Sequence, residues 1–291
     1  MPESQGPARA RPEARRPAAV EAFDASAAVF DVRFGDWASV VAQRQAVRRM
    51  LLDTFPPGAR LLELGGGTGE DAVFLAAHER RVLLTDGAPR MVAEAAARAQ
   101  RAGLTGRIET RTLLLEEVEA FARERRRAEG ARFDGAYSNF AALNCVPDLT
   151  PIARGLAMLL RPGASAVLVL FGPLPPGEIL VQLVHGDVRA AFRRLSRGPV
   201  PARLGGRDFE VWYPWPRRIA RAFAPWFRLR RMRGVGIFVP PSAAEPWISR
   251  HPRLLAVLDA LDRVAAAPLA LLGDHIAFRF ERTATPAPED A

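Results

Sequence analysis

From about residue 40 onward, short continuous apolar runs alternate with longer stretches in which apolar residues recur every three or four positions. The runs have the length and bounding turns of buried strands, and the periodic stretches have the spacing of helices packed on them. A helix over about 40–54, with Ser39 as N-cap, leads through Pro56-Pro57-Gly58 to a strand at 60–64. The series continues as helix 70–79, strand 82–85, helix 89–101 with Pro89 at its first position, and strand 107–113. Then come helix 116–129, strand 133–138, a helix opened by Thr150-Pro151 that runs to 160, and strand 165–171. Further strands are expected near 227–233, 236–239 and 275–281, with an amphipathic helix at 252–266. Upstream, Phe30, Phe34 and Trp37 recur at helical or near-helical spacing over 26–38. Strands alternating with helices in this way predict an α/β domain whose parallel sheet is wrapped on both faces.

The regular alternation breaks at Gly172-Pro173-Leu174-Pro175-Pro176-Gly177, and an insert over about 172–226 follows. It holds Trp212, Tyr213, Trp215 and Trp226, an aromatic set suited either to covering a substrate or to anchoring the insert on the sheet. Residues 1–20, rich in Pro, Arg and Ala and without an apolar signal core, read as a disordered tail, as do 284–291. Between them, 21–283 is expected to be one domain.

The strongest local signal is the passage from strand 60–64 into helix 70–79: Leu61-Leu62-Glu63-Leu64-Gly65-Gly66-Gly67-Thr68-Gly69-Glu70-Asp71. Glycines between a strand end and a helix start let backbone approach a ligand closely. A second apolar run ends at Asp86, 21 residues beyond Gly65, where a carboxylate accepts hydrogen bonds from ribose hydroxyls. Alone, the loop is also compatible with a glycine-rich turn that holds nothing; the acid at matching distance argues for a nucleotide-like ligand. Dinucleotide sites use Gly-x-Gly-x-x-Gly and a free helix N-terminus for pyrophosphate. Here the spacing is Gly-x-Gly-x-Gly, and Glu70 and Asp71 occupy the first helical turn. Those carboxylates complement the helix dipole and would repel a pyrophosphate, so a phosphate-free ligand with a cationic centre fits better.

Glu63-x-Gly65-x-Gly67-x-Gly69 resembles the first motif of class I S-adenosylmethionine-dependent methyltransferases, and Asp86 resembles their ribose-binding acid. Asp86-Gly87-Ala88-Pro89-Arg90-Met91 is similar to the second motif, in which the residue matching Met91 packs on adenine or ribose. Phe133-Asp134-Gly135-Ala136-Tyr137-Ser138-Asn139-Phe140 is similar to the fourth, whose strand end lies beside the methionine moiety. One position departs: many members place an Asp for the adenine amino group after the third strand, whereas this chain has Leu113-Leu114-Leu115. The resemblance implies a Rossmann-like methyltransferase sheet, mostly parallel with an antiparallel last strand, and a cap insert between strands five and six. It implies S-adenosylmethionine as cofactor and S-adenosylhomocysteine as product, held by Glu63, Gly65, Gly66, Gly67, Gly69, Asp86, Gly87, Met91, Leu114, Asn139 and Phe140. It further implies a bacterial small-molecule enzyme of secondary or lipid metabolism, with Phe34, Trp37, Asn144, Trp212 and Tyr213 as substrate residues.

A base is needed only for acceptors such as a phenol or alcohol, and histidine suits that task near neutral pH. Of His78, His185, His251 and His275, only His185 lies inside the cap and is the expected base, with Tyr137 and Tyr213 as lesser candidates. No His/Asp/Glu cluster has metal-ligand spacing, so no metal is expected. Ser138-Asn139-Phe140-Ala141 lacks the paired prolines of enzymes that methylate exocyclic base nitrogens in nucleic acids.

Charge changes the picture less than its size suggests. The net charge of +9 comes entirely from arginine, 41 residues with no lysine, which points to compositional bias rather than a phosphate track. The densest run, Arg123 to Arg127, is interleaved with glutamates and reads as a solvated face; Arg228, Arg230, Arg231 and Arg233 are left as a possible rim for an anionic substrate. An RNA or protein methyltransferase using the arginine surface, and a non-catalytic cofactor-binding scaffold, remain the rival readings. The single cysteine, Cys145, suits a reducing compartment, and cytoplasmic location is expected. No apolar run reaches the roughly 18 residues of a membrane-spanning helix.

Overall fold

Every apolar run read as a strand up to Phe171 is one: β1 (Arg60–Leu64), β2 (Arg81–Asp86), β3 (Ile108–Thr112), β4 (Phe133–Ser138) and β5 (Leu160–Phe171). The structure, a computed structural model, describes residues 16–34, 37–128, 130 and 132–288. The first five strands pair in parallel. A small antiparallel hairpin of β6 (Val200–Leu204) and β7 (Arg207–Val211) stands apart. The main sheet is completed by β8 (Phe227–Val235) and β9 (His275–Arg282), in the order β3-β2-β1-β4-β5-β9-β8. Only β9 runs against its neighbours. This is the expected Rossmann-like sheet with one antiparallel last strand.

Alternation along the strands builds two cores. Leu61, Val82, Leu84, Tyr137 and Val167 face α2 (Ala38–Thr54), α3 (Glu70–Ala77) and α4 (Pro89–Arg101). Leu62, Leu64, Ala136, Leu168 and Phe278 face α5 (Val118–Arg127), α6 (Thr150–Leu159) and, later in the chain, α9 (Pro216–Phe223). Each such buried aliphatic side chain contributes about 1.5–3 kcal/mol. Gly135 in β4 is required by packing: a Cβ there would stand 2.3 Å from the Phe55 ring at the end of α2.

Four expectations need correction. The N-terminal helix α1 spans Ala18–Phe34, so it begins inside the segment read as a tail and ends before Trp37. Its apolar residues Ala19, Ala22 and Ala27 are buried, which is what orders an alanine-rich stretch that composition alone assigns to disorder. Ser39 is not an N-cap: the cap position is Trp37, and Ser39 N–H and Oγ–H both donate to Glu245 Oε1, at 3.0 and 2.7 Å. Residues 236–239 form no strand. Gly236 turns away with φ +68°, and the N–H groups of Ile237 and Phe238 donate to the Asp262 carboxylate instead of a ladder. The expected tail 284–291 is partly structured: Arg282 Nη1 donates to the Thr285 carbonyl at 2.8 Å, and Ala287 packs on the core; residues beyond 288 lie outside those described.

The insert divides by role. It contains α7 (Pro176–Val184), α8 (Val188–Ala191), the β6–β7 hairpin and α9. Ile219 and Phe223 of α9 belong to the main core, so that helix covers the sheet. The hairpin rests on α1, with Phe23 and Phe209 ring centroids 5.8 Å apart. A last helix, α10 (Pro252–Ala265), matches the expected amphipathic segment.

Candidate active site

The carboxyl ends of β1, β2 and β4 open onto one cleft, the position at which parallel α/β sheets bind ligands. Its floor is Glu63, Gly65, Gly66, Gly67, Thr68, Glu70 and Asp71, its sides Asp86, Gly87, Met91, Leu115, Glu116, Asn139, Phe140, Ala142, Cys145 and Val146. The roof is α1, through Val20, Phe23, Phe30 and Asp31.

The loop after β1 takes the shape its glycines allow. Gly65, Gly67 and Gly69 have φ of +65°, +54° and +80°, a region that L side chains rarely adopt. A Cβ on Gly65 would also strike Ala142 at 2.3 Å, whereas one on Gly67 would meet nothing within 4 Å, so at Gly67 the demand is conformational. The Asp86 carboxylate draws the loop in, accepting from Gly67 N–H at 2.9 Å and Ala88 N–H at 2.8 Å. Burial pushes its pKa up, and those two N–H groups oppose the shift.

Glu63 is 2% exposed, and its Oε2 is buried with no hydrogen-bond partner. Burial, and then the nearby Asp71 charge, hold its carboxyl well above the usual carboxylate range. A buried polar atom without a full set of partners costs about 1–3 kcal/mol, which the Tyr137 hydroxyl beside Glu63 partly offsets. The folded-state pKa lies above the unfolded one, so the contribution of this group to stability is present below the ordinary carboxylate pKa. It is lost as pH rises through the folded value. Glu63→Gln is therefore expected to melt at a higher temperature than wild type at pH 8 without ligand, with the difference vanishing toward pH 4. A melting temperature that is unchanged or lower at pH 8 would remove this account.

Glu70 and Asp71 do not confront the cleft as bare negative charge. Asp71, 3% exposed, accepts from Arg48 Nε at 2.8 Å, Arg44 Nη1 at 2.9 Å and Asn139 Nδ2 at 2.7 Å. Glu70 pairs with Arg48 Nη2 at 3.2 Å. Both arginines come from α2, so their charge neutralises the first turn of α3. Glu70 and Asp71 therefore repel a pyrophosphate less than their sequence suggests, while Glu63 and Asp86 also line the cleft. Asn139 holds its own turn with an Oδ1 that accepts from Phe140 N–H at 2.9 Å. Phe140 and Ala141 then adopt left-handed φ of +49° and +64°, and Phe140 lies under the Arg44 guanidinium at 4.5 Å.

Of the residues expected to bind cofactor, all line the cleft except Gly69 and Leu114. Gly69 caps α3, and Leu114 packs near Gly87, whose Cβ would lie 3.0 Å from it. The adjacent Leu115 and Glu116 reach the cleft instead. Glu116 places a carboxylate close in sequence to the acid that was found missing after the third strand. The expected substrate residues fare differently. Asn144 is fully committed: Nδ2 donates to the Trp212 carbonyl at 2.6 Å and Oδ1 accepts from Phe171 N–H at 3.1 Å. Trp212 and Tyr213 line a separate hollow with Pro214 and Trp215 that shares only Val146 with the cleft. Trp37 does not line the cleft, and the Phe34 side chain lies outside the described residues. Val20 and Phe23 went unrecognised because they fell in or beside the segment read as a tail; with Ala27 and Phe30 they form a helical stripe that was there to be read.

The histidines rearrange. His185 is exposed at the end of α7, its Nδ1 2.7 Å from the Val181 carbonyl, away from the cleft. His275 opens β9, and because β9 is antiparallel its first residue pairs with Phe171 at the carboxyl end of β5. It is buried, stacked on Phe171 at 4.8 Å and edge-on to Phe140 at 5.5 Å. Beside it, Arg194 is buried with Glu178 and Asp274: Nη2 donates to Asp274 Oδ1 at 2.7 Å and to Glu178 Oε2. Burial raises the Asp274 pKa, but His275 and Arg194 outweigh it and leave the carboxyl far below the usual range. Cys145 lines the cleft as a neutral thiol, pushed up to about 12 by burial and then by Asp86 and Glu116.

The arginine groups lie away from the cleft. On α5, Arg123 pairs with Glu119, and Arg111 of β3 reaches Glu124. Arg228, Arg230, Arg231 and Arg233 lie on β8 at the sheet edge, where Arg230 pairs with Glu281, and none lines the cleft. Among the described residues no group of three or more His, Cys, Asp or Glu could hold a metal ion, and no helix is long and apolar enough to cross a membrane.

Residues 61–163 match the methyltransferase-domain family. A putative S-adenosylmethionine-dependent methyltransferase from Listeria monocytogenes shares the fold at TM-score 0.56 and 15% identity, over 84% of this chain and 97% of its own. Magnesium protoporphyrin IX methyltransferase from Synechocystis PCC 6803, solved with bound S-adenosylhomocysteine, gives 0.51 and 16%, over 84% and 85%. A putative sarcosine dimethylglycine methyltransferase from Galdieria sulphuraria gives 0.52 and 14%, over 85% and 86%. No curated protein sequence matches. Residues 61–163 are thus a methyltransferase domain, set in the fold that these S-adenosylmethionine-dependent methyltransferases share.

Proposed function

We propose that this enzyme methylates a small, partly apolar metabolite, and that its cofactor occupies the cleft beneath α1. The observation that carries the placement is the pairing of a glycine cradle with Glu63, a buried carboxylate on the cleft whose neighbouring hydroxyl, Tyr137, only partly offsets the cost of its burial. When bound, the cofactor supplies a methyl group made electrophilic by its sulfonium. The chain supplies the rest. Asp86 offers carboxylate lone pairs to ribose hydroxyls; Met91 and Leu115 give the adenine an apolar bed, and Glu116 can accept from its amino group. Gly87 keeps that bed open, because a Cβ there would press on Val20 at 2.9 Å. Glu63, whose carboxyl burial and Asp71 hold above its ordinary range, would find in an ammonium group the charge partner that favours its ionised form. The α1 roof and Phe140 exclude water from the reacting end. An acceptor of modest size is favoured because the roof leaves a cleft rather than an open face, and magnesium protoporphyrin IX and sarcosine dimethylglycine enzymes on the same fold are named for small molecules.

Calorimetric titration with S-adenosylhomocysteine tests the placement. Wild type is expected to bind at micromolar or tighter Kd, while Asp86→Ala weakens binding by about tenfold or more through lost charge-assisted hydrogen bonds. Gly67→Val is expected to do the same by forbidding the loop conformation. A folded wild type that binds nothing, or variants that bind as it does, would overturn the reading.

A further inference from the structure

The first part of the insert, α7 and α8, forms a corner whose outer side is apolar. Leu180, Val184 and Val188 are 63%, 76% and 60% exposed, and Phe192 and Leu195 are exposed as well. Phe238 and Trp247 continue this surface: both are exposed, and both meet Leu180 around a shared hollow. Single exposed apolar residues are ordinary, but a contiguous set marks a surface that is covered in use. The corner is pinned from beneath. Glu178, Ala191 and Arg194 are buried, and Arg194 Nη2 donates to both Glu178 Oε2 and Asp274 Oδ1. Gly186, with φ +78°, turns the chain between the two helices, and the Asp187 carboxylate caps α8 by accepting from Ala190 N–H at 2.8 Å. The apolar side chains therefore stay turned to solvent.

The charge around this surface decides what covers it. Among the described residues of 176–197 and 238–253, Asp187 is the one exposed acid, and its carboxylate is taken up as the cap of α8. Against it stand Arg189 and Arg197 on the corner and Arg250 and Arg253 beyond Trp247, all exposed and none paired with a carboxylate. Arg250 N–H donates to the Trp247 carbonyl at 3.1 Å, which keeps the two residues together. Compositional bias accounts for the number of arginines but not for the lack of acids between them; elsewhere Arg123 and Arg230 are answered by glutamates. A second copy of the chain is a poor cover, because a two-fold pairing sets each cationic rim against its own duplicate. Apolar side chains ringed by unpaired guanidinium groups, with a tryptophan at the margin, suit the interface of an anionic bilayer. There the apolar groups enter the acyl boundary and the cations meet headgroup phosphates. We propose that this corner of the cap seats the enzyme on a membrane surface containing anionic phospholipid. At nine residues α7 is too short to span a bilayer, so the enzyme lies on the surface. The proposal concerns where the enzyme works and stands apart from what the cleft binds.

Co-sedimentation of the full-length protein with vesicles tests it, using phosphatidylcholine alone or an equal mixture with phosphatidylglycerol. Saturable binding to the mixture is expected, about tenfold or more weaker on phosphatidylcholine alone and falling as salt is raised. Leu180→Glu/Val184→Glu is expected to weaken binding to the mixture about tenfold or more, with the melting temperature unchanged because both side chains stand in solvent. Arg189→Glu/Arg197→Glu is expected to weaken it by a similar factor, and decides the matter if the first variant fails to fold. Val257→Glu/Val264→Glu, at exposed positions of α10, is expected to bind as wild type does. No binding to either vesicle, equal binding to both, wild-type binding by the corner variants, or an equal loss in the α10 variant would overturn the proposal. So would a dimeric wild type that Leu180→Glu/Val184→Glu renders monomeric, since the corner would then be an interface between copies.

Discussion

Asp71→Ala is expected to lower the folding free energy by about 3–5 kcal/mol, read as a shift of the urea midpoint at constant slope. The carboxylate is buried between two arginines of α2 and the Asn139 amide. Its removal leaves Arg44 and Arg48 crowded in a site with little water, with only Glu70 to answer them. The exposed pair Arg230–Glu281 is the contrast: its geometry is good, yet both partners are solvated, and Glu281→Gln is expected to leave the midpoint where it is. If Asp71→Ala behaved like Glu281→Gln, the cluster would be contributing far less than its burial implies. S-adenosylhomocysteine affinity should fall as well, because Asn139 would lose the partner that fixes the turn into Phe140.

Arg194→Met is expected to cost a similar amount, about 3–5 kcal/mol at neutral pH. Methionine retains the length of the side chain but strands the Glu178 and Asp274 carboxylates together, and it abandons the Gly172 and Asp274 carbonyls that Arg194 also serves. The pH dependence separates this from a packing defect. The folded pKa of Asp274 is depressed, so its stabilising contribution is present above the unfolded carboxylate pKa of about 3.9 and is lost as pH falls. Wild type and variant should therefore differ by a near-constant amount from pH 7 down to about pH 4 and converge only as pH falls below the unfolded carboxylate pKa. Curves that stay parallel below that pH would show that the charge network is not what Arg194 holds together.

How much of this was legible in the residues depended on the range of the interaction. The passage from β1 to Asp86 is written locally: apolar runs set the strands, and three glycines set left-handed turns that no other residue fits as easily. The two-sided core follows from the same alternation. The pairing of Asp71 with Arg44 and Arg48 was not readable, because it joins the first turn of one helix to another helix whose rotation is fixed only by packing. The β6–β7 hairpin did carry a signal, Gly205-Gly206 between two alternating segments, which the breadth of the insert obscured. His275 was set aside for His185, which lies inside the cap, yet it opens a strand. In a parallel strand that places a residue at the far edge; in the one antiparallel strand it places it beside Phe171 and Phe140. Strand direction, absent from local pattern, is what sets His275 against the Phe140 ring.

The antiparallel course of β9 has a further consequence. Chain leaves the sheet at Val235 and re-enters at His275, and these two residues are paired across the ladder. The excursion between them is clasped at its base, where Asp274 N–H donates to the Gly236 carbonyl at 3.0 Å. Its two ends therefore stay together whatever its content. Lengthening a loop closed in this way costs only about 0.6 kcal/mol for each doubling, and no strand need change register. The segment behaves as a cassette that can be lengthened at its tip without disturbing the ladder, provided the bonds from Ser39 of α2 to Glu245 are kept.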